Sequence, residues 1–334
     1  MEAIIHVYLT SFSTLILILI VAATLYTLSK GADILVDEAV SLSLHWGVSK
    51  MIIGATIVSL GTTLPEATVS VLAAVNGNPD LALGNAIGSI ITDTGLIIGL
   101  AALIGYLPVD QITMNRQGRI QLFSGILLAV VSIPFLSSGS TGNISQFVGW
   151  IFLILLAAYI YISISWSKKS GETEADFEEE KSPLIVQILK LVLGIVLVLG
   201  SSKILIPAVE ISAIRVGIPQ SIVAATLVAF GTSLPELVTA VTAVRKGHGE
   251  LAIGNIVGAD ILNVLFVVGS AAAVTRGGLD VPLNFYKLQI PTMLIVLVVF
   301  RVFAKSKNNA ISKLEGVILF SIYILYLILN YVWI

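Results

Sequence analysis

The hexapeptide GTTLPE, residues 61–66, interrupts the apolar run MIIGATIVSLGTTLPEATVSVLAAV of residues 51–75. Gly61 and Pro65 both weaken a helix, and Glu66 places an ionisable group where a membrane helix is otherwise hydrocarbon. Almost the same stretch, GTSLPE, returns at residues 231–236 within a second apolar run. The chain therefore repeats one helix break, followed each time by a carboxylate, in two candidate membrane spans.

The composition is that of a membrane protein. Of the 334 residues, 57% are apolar and 11% are charged, and the mean hydropathy is +1.01. Soluble globular chains carry about 25% charged residues, so we expect a polytopic protein whose surroundings are the lipid bilayer. The absence of cysteine excludes disulfides and thiolate metal sites, and a net charge of −2 argues against a nucleic-acid partner. No feature of the sequence points to an obligate protein partner.

Hydropathy predicts ten membrane helices, since runs of about 20 apolar residues cross a bilayer. The ten runs lie at about 9–42, 49–76, 80–105, 118–137, 145–167, 184–213, 219–245, 249–274, 285–304 and 312–333. A charged segment, residues 168–183, divides the chain into a first five-helix repeat, residues 1–167, and a second, residues 184–334. Its composition predicts a solvated linker.

The Lys and Arg residues predict the orientation, because cytoplasmic loops carry an excess of them. Twelve lie in the loops that follow the odd-numbered spans, Arg301 among them, and three lie in the loops on the opposite side. We therefore expect both termini outside and the acidic linker inside. The protein is predicted to be integral to the membrane.

The two halves align when residue 54 is placed on residue 224, a shift that we call the repeat offset. Residues 54–99 then pair with residues 224–269 without a gap, and 18 of these 46 positions are identical. Because each half has an odd number of spans, the second half must enter the membrane from the opposite side. The predicted fold is all-α, with ten transmembrane helices in two inverted-topology repeats and broken helices at the midplane. This architecture is typical of secondary transporters.

The repeated break supplies oxygen ligands. Pro65 has no N–H to offer the carbonyl of Gly61, and Thr62, Thr63 and Glu66 add side-chain oxygens. The second copy offers Thr232, Ser233 and Glu236. Oxygen donors of this kind suit Na⁺, Ca²⁺ and Mg²⁺ rather than softer metals. Two carboxylates brought together would repel each other, and a divalent cation would neutralise both.

The spans that follow each break add further polar groups, in GNAIGSIITDTG (84–95) and GNIVGADILNVL (254–265). Ser89 and Asp93 are four residues apart and share a helix face, and Asn263 is the counterpart of Asp93 in the second half. Acids within a membrane span are functional by default. We expect Glu66, Glu236, Asp93, Asn263 and Asp260 to line an ion path. Asp260 has a second interpretation, as a polar group at a helix end that pairs with a neighbour.

The two signatures, GTTLPE with GNAIGSIITD and GTSLPE with GNIVGADILN, resemble the paired repeats of the calcium/cation antiporter superfamily, and above all the sodium/calcium exchangers and their prokaryotic relatives. The resemblance implies a non-enzymatic antiporter in a prokaryotic plasma membrane that exchanges Na⁺ for Ca²⁺ by alternating access without a cofactor. It also implies that the long first and sixth spans form a sliding gate pair.

The resemblance further implies a ligand set. Ca²⁺ would be bound by Glu66, Glu236 and the carbonyl oxygens of Thr62 and Thr232. The implied Na⁺ ligands are the hydroxyls of Thr63 and Ser233, the carbonyls of Ser59 and Ala229, and the pairs Ser89 with Asp93 and Ala259 with Asn263.

The chain departs from the family pattern in the spans after the breaks. Asp93 and Asn263 stand where relatives tend to have Asn and Asp, Ala259 replaces a common serine, and Asp260 adds an acid. The extra acid favours an alternative, an H⁺-coupled exchanger of divalent cations with the same fold. A channel would need no counter-ion, but matched carboxylates in an inverted repeat favour alternating access. An intramembrane aspartyl protease would need a Gly-x-Gly-Asp context, which the sequence lacks.

Overall fold

The computed structural model describes residues 2–133, 141–169, 183–217, 231–306 and 308–333. The helices are α1 (Glu2–Thr10), α2 (Thr14–Trp46), α3 (Lys50–Thr62), α4 (Leu64–Val75), α5 (Pro79–Ile104), α6 (Gln111–Val131), α7 (Gln146–Lys169), α8 (Leu184–Arg215), α9 (Leu234–Arg245), α10 (Gly249–Val274), α11 (Phe285–Ala304) and α12 (Lys313–Trp333). The strands are β1 (Leu107–Pro108), β2 (Gly142–Ile144), β3 (Leu279–Val281) and β4 (Ala310–Ile311).

Within the described ranges, seven helices are long and apolar enough to cross a membrane, and α3 with α4 would form an eighth as one bent span. The sequence predicted ten. Of the other two predicted spans, α6 begins at Gln111 rather than at 118 and carries several Gln, Asn and Arg residues in its first half. The span predicted at 219–245 is described only from residue 231, so its full length lies outside the described residues.

The span predicted at about residues 9–42 is the single helix α2, and the short helix α1 precedes it. α1 ends at Thr10, and the side chain of Ser13 caps α2 by accepting a hydrogen bond from the N–H of Ile16. The hydroxyl of Ser11 donates to the carbonyl of Tyr8 at 2.6 Å. Short hydroxyl side chains compete with the backbone for hydrogen bonds, so this Thr and Ser segment interrupts the apolar run.

Helix bounds in the two halves keep the repeat offset. α9 begins and ends where that offset would place α4, and α10 is related to α5 in the same way. Both α5 and α10 contain a wide π-helical turn, at Thr92–Ile97 and Asn263–Val268. A third such turn, Gly54–Val58, lies in α3. Turns of this kind are rare and often occur at functional sites.

Two short antiparallel strand pairs, which the sequence did not predict, accompany the helices. β1 pairs with β4, with Leu107 opposite Ile311, and β2 pairs with β3, with Gly142 opposite Val281. Each pair joins one half of the chain to the other. The loops that meet in each pair are loops that the predicted topology places on the same side of the membrane, so their exposed backbone groups can satisfy one another.

Small residues bring the long helices together. A Cβ atom at Gly31 of α2 would lie 2.8 Å from the Cβ of Leu197 in α8, and the hydroxyls of Thr27 and Ser201 are 2.8 Å apart across the same contact. A Cβ at Gly258 of α10 would lie 2.5 Å from the carbonyl oxygen of Ala55 in α3. Close backbone approach is how membrane helices pack when lipid supplies no hydrophobic driving force.

The basic residues at the predicted inner side do not all lie in loops. Arg301, which the sequence placed in a loop, lies within α11, where it is buried and donates to the carbonyl of Met114 at 2.7 Å. The same guanidinium donates to Oδ1 of Asn115 at 3.2 Å, so α6 supplies acceptors for two of its nitrogens. Lys246 forms ion pairs with Asp37 at 2.8 Å and Asp33 at 3.4 Å, which tie the end of α9 to α2.

Candidate ion-binding site

The first signature forms a sharp bend between two helices. α3 ends at Thr62 and α4 begins at Leu64, so Thr63 alone forms the joint, and the two helices meet at 44°. Ser233 precedes α9 with nearly the same backbone angles as Thr63. The first break is therefore a one-residue bend rather than a long unwound segment, and the residues before Gly231 at the second break lie outside the described ranges. Glu66 and Glu236 lie in the first turns of α4 and α9, where the helix dipole favours negative charge.

The acidic side chains predicted from the sequence come together in the interior. Glu66, Glu236, Asp93, Asp260 and Asn263 are each exposed by 2% or less. Glu66 interacts electrostatically with Glu236 and Asp93, and Asp93 interacts in turn with Glu236 and Asp260. We refer to these four carboxylates as the acidic cluster. Charges of one sign at such burial repel strongly unless a cation lies between them.

The cluster is lined by oxygen atoms that lack a hydrogen-bond partner. Buried polar atoms are almost always hydrogen-bonded, and unpaired ones call for a ligand or an ion. The hydroxyl of Ser233 lies near Asp93, and those of Thr62 and Thr63 lie near Glu236, but none of the three has hydrogen-bond geometry to the carboxylate. Among the described residues, the unpartnered oxygens here are both carboxylate oxygens of Glu66, Asp93 and Glu236, Oδ1 of Asp260, Oδ1 of Asn263, and the hydroxyls of Thr63 and Ser233.

One hydrogen bond connects each signature to the opposite half of the chain. The hydroxyl of Thr232 donates to Oδ1 of Asn85 at 3.0 Å, and that of Thr62 donates to Oδ1 of Asn255 at 3.4 Å. The two donors are counterparts at the repeat offset, and so are the two acceptors. Asn85 also donates to the carbonyl of Glu66 at 3.1 Å. Neither asparagine was among the predicted site residues. The fact that both halves have Asn at this position of the GN motif could have indicated a shared role.

The two asparagines differ in how fully they are bonded. Nδ2 of Asn85 donates also to the hydroxyl of Ser70 at 3.0 Å, whereas Nδ2 of Asn255 has no partner among the residues described. The counterpart of Ser70 at the repeat offset is Ala240, which has no hydroxyl. The side-chain nitrogen of this asparagine is therefore hydrogen-bonded in the first half but has no partner in the second half among the described residues.

Asp260 lies in the middle of α10 and not at a helix end. Its Oδ2 accepts hydrogen bonds from the hydroxyl of Thr94 in α5 and from Nε2 of Gln121 in α6, the latter at 2.6 Å. Part of its second interpretation holds, since it does pair with neighbours. Neither donor was predicted, because 166 and 139 residues separate them from Asp260 in the sequence.

The remaining predicted ligands occupy varied positions. Ser89 is buried in α5, and Ala259 is buried in α10. The carbonyl of Ser59 already accepts the N–H of Thr63 at 2.9 Å and the hydroxyl of Thr62 at 3.4 Å. Ala229 lies outside the described residues.

The donor set is mixed in chemistry. In the part of the chain that is described, no three Asp, Glu, His or Cys side chains converge closely enough to hold a metal by themselves. The site instead combines carboxylate, hydroxyl and amide oxygens from α3, α4, α5, α9 and α10. Such an all-oxygen set is the kind that Na⁺ and Ca²⁺ prefer.

A polytopic helical protein with a buried, acidic, oxygen-lined cluster between bent membrane helices belongs to the class of ion-transporting membrane proteins. The chain is a member of the sodium/calcium exchanger family: the family model described as "Sodium/calcium exchanger protein" matches residues 16–165 and 186–332. This match confirms the resemblance seen in the two signatures. It also confirms the expectation of a transmembrane antiporter related to sodium and calcium transport.

Named and solved relatives cover nearly the whole chain. The sodium/calcium exchanger MaX1 of Methanosarcina acetivorans is 28% identical, over 93% of this chain and 97% of its own length. The putative antiporter CaxA of Alkalimonas amylolytica is 32% identical, over 93% and 98%. A structure of the sodium-calcium exchanger NCX_Mj soaked with Na⁺ and Sr²⁺ aligns with a TM-score of 0.79 at 26% identity, covering 94% of this chain and 98% of that one.

Proposed function

We propose that the protein exchanges Na⁺ for Ca²⁺ across the membrane by alternating access. The observation that carries this proposal is the pair Glu66 and Glu236, each 1% exposed, in electrostatic contact and without hydrogen-bond partners for their carboxylates among the described residues. A divalent cation between them would remove the repulsion and supply the missing ligands. The relatives named as sodium/calcium exchangers support the same pair of ions.

The proposed architecture is ten membrane helices in two inverted repeats of five, joined by a cytoplasmic linker at residues 168–183. The equal offsets of α4 to α9 and of α5 to α10 support it. So do the strand pairs β1–β4 and β2–β3, which join loops that this topology places on one side. The family match also falls into two blocks, separated by residues 166–185.

The proposed Ca²⁺ ligands are the carboxylates of Glu66 and Glu236 and the carbonyl oxygens of Thr62 and Thr232. Ca²⁺ takes about six to eight oxygens, so two bidentate carboxylates and two carbonyls would nearly complete the shell. The proposed Na⁺ ligands come from Thr63, Ser233, Ser59, Ala229, Ser89, Asp93, Asn263 and Asp260.

A flux assay tests the coupling ion. Purified protein in liposomes loaded with NaCl is diluted into Na⁺-free buffer with Ca²⁺, and Ca²⁺ entry is followed with a trapped indicator. We expect entry that depends on internal Na⁺, and no entry when the internal NaCl is replaced by choline chloride. Entry driven by a pH gradient but not by Na⁺ would replace this proposal with the H⁺-coupled alternative, which the extra acid Asp260 favours.

We place the protein in a prokaryotic plasma membrane with both termini outside. The native chain has no cysteine, so single cysteines can be introduced without background. A membrane-impermeant thiol reagent applied to intact cells should label Ser11→Cys, between α1 and α2, and should leave Thr173→Cys in the linker unlabelled until the cells are opened. The opposite pattern would invert the orientation.

A further inference from the structure

The part of α3 that leads into the first bend follows a π-helical turn. The turn, Gly54–Val58, directly precedes Ser59–Thr62, which carries two of the proposed carbonyl ligands, and the hydroxyl of Thr63 comes next. A helix rotates by about 100° per residue, so a turn widened by one residue rotates everything after it by about that angle. Whatever holds this turn therefore sets the direction in which the ligands of α3 point.

A side chain from another helix is bonded to the backbone of this turn. The hydroxyl of Tyr159, in the middle of α7, donates to the carbonyl oxygen of Ala55 at 2.8 Å. Tyr159 is 3% exposed, so bulk water does not compete for the bond. Gly258 of α10 also approaches this carbonyl, since a Cβ atom there would lie 2.5 Å from it. The turn is thus in contact with a hydroxyl of the first half and a glycine of the second.

Polar groups hold the tyrosine in turn. Ser163 lies about one helical turn further along α7, and its hydroxyl is near that of Tyr159. Nε2 of Gln117 in α6 donates to the hydroxyl oxygen of Ser163 at 3.1 Å. Ser163 and Gln117 are exposed by 1% or less. Buried polar groups that satisfy one another favour a single arrangement, so the position of the phenol is well defined.

The second half lacks the residues for the same support. The residue at the repeat offset from Tyr159 is Leu329, and the one from Gln117 is Lys287. Leucine has no hydroxyl to donate, so the equivalent bond cannot form. A side chain that merely filled the space beside α3 would need no hydroxyl, whereas this one bonds to the turn that directs the ligands.

We propose that Tyr159 is a positioning residue for ion binding. Its bond to Ala55 holds the π-helical turn of α3. That turn keeps the carbonyls of Ser59 and Thr62 and the hydroxyl of Thr63 directed towards the bound ion. The inference rests on the proposed function, because it takes these oxygens as ion ligands.

The test compares Tyr159→Phe, which deletes only the hydroxyl, with Tyr161→Phe, the same loss at a position of α7 that is 74% exposed. Thermal unfolding of the purified protein in detergent without Na⁺ is followed as CaCl₂ is added. The dependence of the midpoint on Ca²⁺ concentration gives an apparent dissociation constant. We expect this constant to rise by roughly 2- to 12-fold in Tyr159→Phe, the effect of one lost hydrogen bond, and to stay native in Tyr161→Phe.

The dissociation constant is the deciding quantity, because a purely structural bond would change only the stability of the ion-free protein. A native constant in Tyr159→Phe would overturn the positioning role, and so would an equal rise in Tyr161→Phe or a native protein that Ca²⁺ does not stabilise. If Tyr159→Phe does not fold, Ser163→Ala takes its place, since it removes the hydroxyl that holds the phenol. We then expect a smaller rise in the constant, and a native value would overturn the role.

Flux measurements separate this inference from the proposed function. If native protein in liposomes shows no Na⁺-driven Ca²⁺ uptake but the constant still rises in Tyr159→Phe, the function is wrong and the positioning role stands. If uptake is Na⁺-driven but the two constants agree, the positioning role alone is wrong.

Discussion

The hydroxyl of Thr232 is the most informative single atom to remove. It donates to Oδ1 of Asn85 at 3.0 Å, and Asn85 in turn donates to the carbonyl of Glu66 at 3.1 Å. The carbonyl of Thr232 is a proposed Ca²⁺ ligand, so this hydrogen bond connects a ligand of one half to the glutamate of the other. Thr232→Val keeps the shape of the side chain and the carbonyl but deletes the donor.

The expected magnitude follows from the bond that is lost. The two groups are partly buried, and a hydrogen bond between such groups contributes about 0.5–1.5 kcal/mol, while each 1.4 kcal/mol is a factor of about ten in an equilibrium constant. If that loss falls on the Ca²⁺-bound state, the Ca²⁺ concentration for half-maximal exchange rises by roughly 2- to 12-fold. The corresponding bond of Thr62 is longer, at 3.4 Å, so Thr62→Val should have the smaller effect.

The assay is Na⁺-driven Ca²⁺ uptake into liposomes across a range of Ca²⁺ concentrations. We expect Thr232→Val to raise the half-saturating concentration more than it lowers the maximal rate, and Thr232→Ser to restore native behaviour because it returns the hydroxyl. A serine variant as impaired as the valine variant would refute the reasoning, since the hydroxyl would then not be the cause. So would native affinity in Thr232→Val.

Two further predictions concern charge and packing. Glu66→Gln or Glu236→Gln should abolish Ca²⁺ transport, because a neutral amide cannot share a divalent ion with the remaining carboxylate, and near-native uptake by either variant would contradict the proposed site. Gly258→Ala should lower the thermal midpoint, at a cost of about 1–3 kcal/mol, because its Cβ would lie 2.5 Å from the carbonyl oxygen of Ala55. The matched variant Gly88→Ala, at the equivalent place in the first half, meets nothing within 4 Å, so equal losses would show that packing of α10 on α3 is not the cause.

Much of the fold can be predicted because membrane helices are encoded locally. An apolar run long enough to cross the bilayer has few alternatives to a helix. The repeat offset aligns Gly, Pro, Asn and Glu of the two halves, and it therefore shows which helix of the second half is equivalent to which helix of the first. The correspondence between α4 and α9 was predictable on this basis. The separate short helix α1 before the first span was less predictable, because the few polar residues between α1 and α2 are a weak local signal beside the high average hydropathy.

Contacts between segments that are far apart in the sequence could not be predicted. The π-helical turns at Thr92–Ile97 and Asn263–Val268 leave no mark in hydropathy, because widening a turn by one residue hardly alters the apolar pattern. Arg301 looked like a loop residue because its partner, the carbonyl of Met114, is 187 residues away. The strand pairs depend in the same way on two loops meeting in space.

The acidic cluster shows where alignment of the two halves succeeds as a guide and where it fails. Glu66 and Glu236 occupy equivalent positions, so the offset alone predicted that they would meet. Asp260 has Ile90 as its counterpart, and symmetry therefore gave no information about its surroundings. Its donor Gln121 comes from α6, a helix whose low hydropathy made its bounds hard to predict. The polar residues of α6 made it hard to recognise as a membrane span. One of them, Gln121, donates the hydrogen bond that stabilises the buried carboxylate of Asp260.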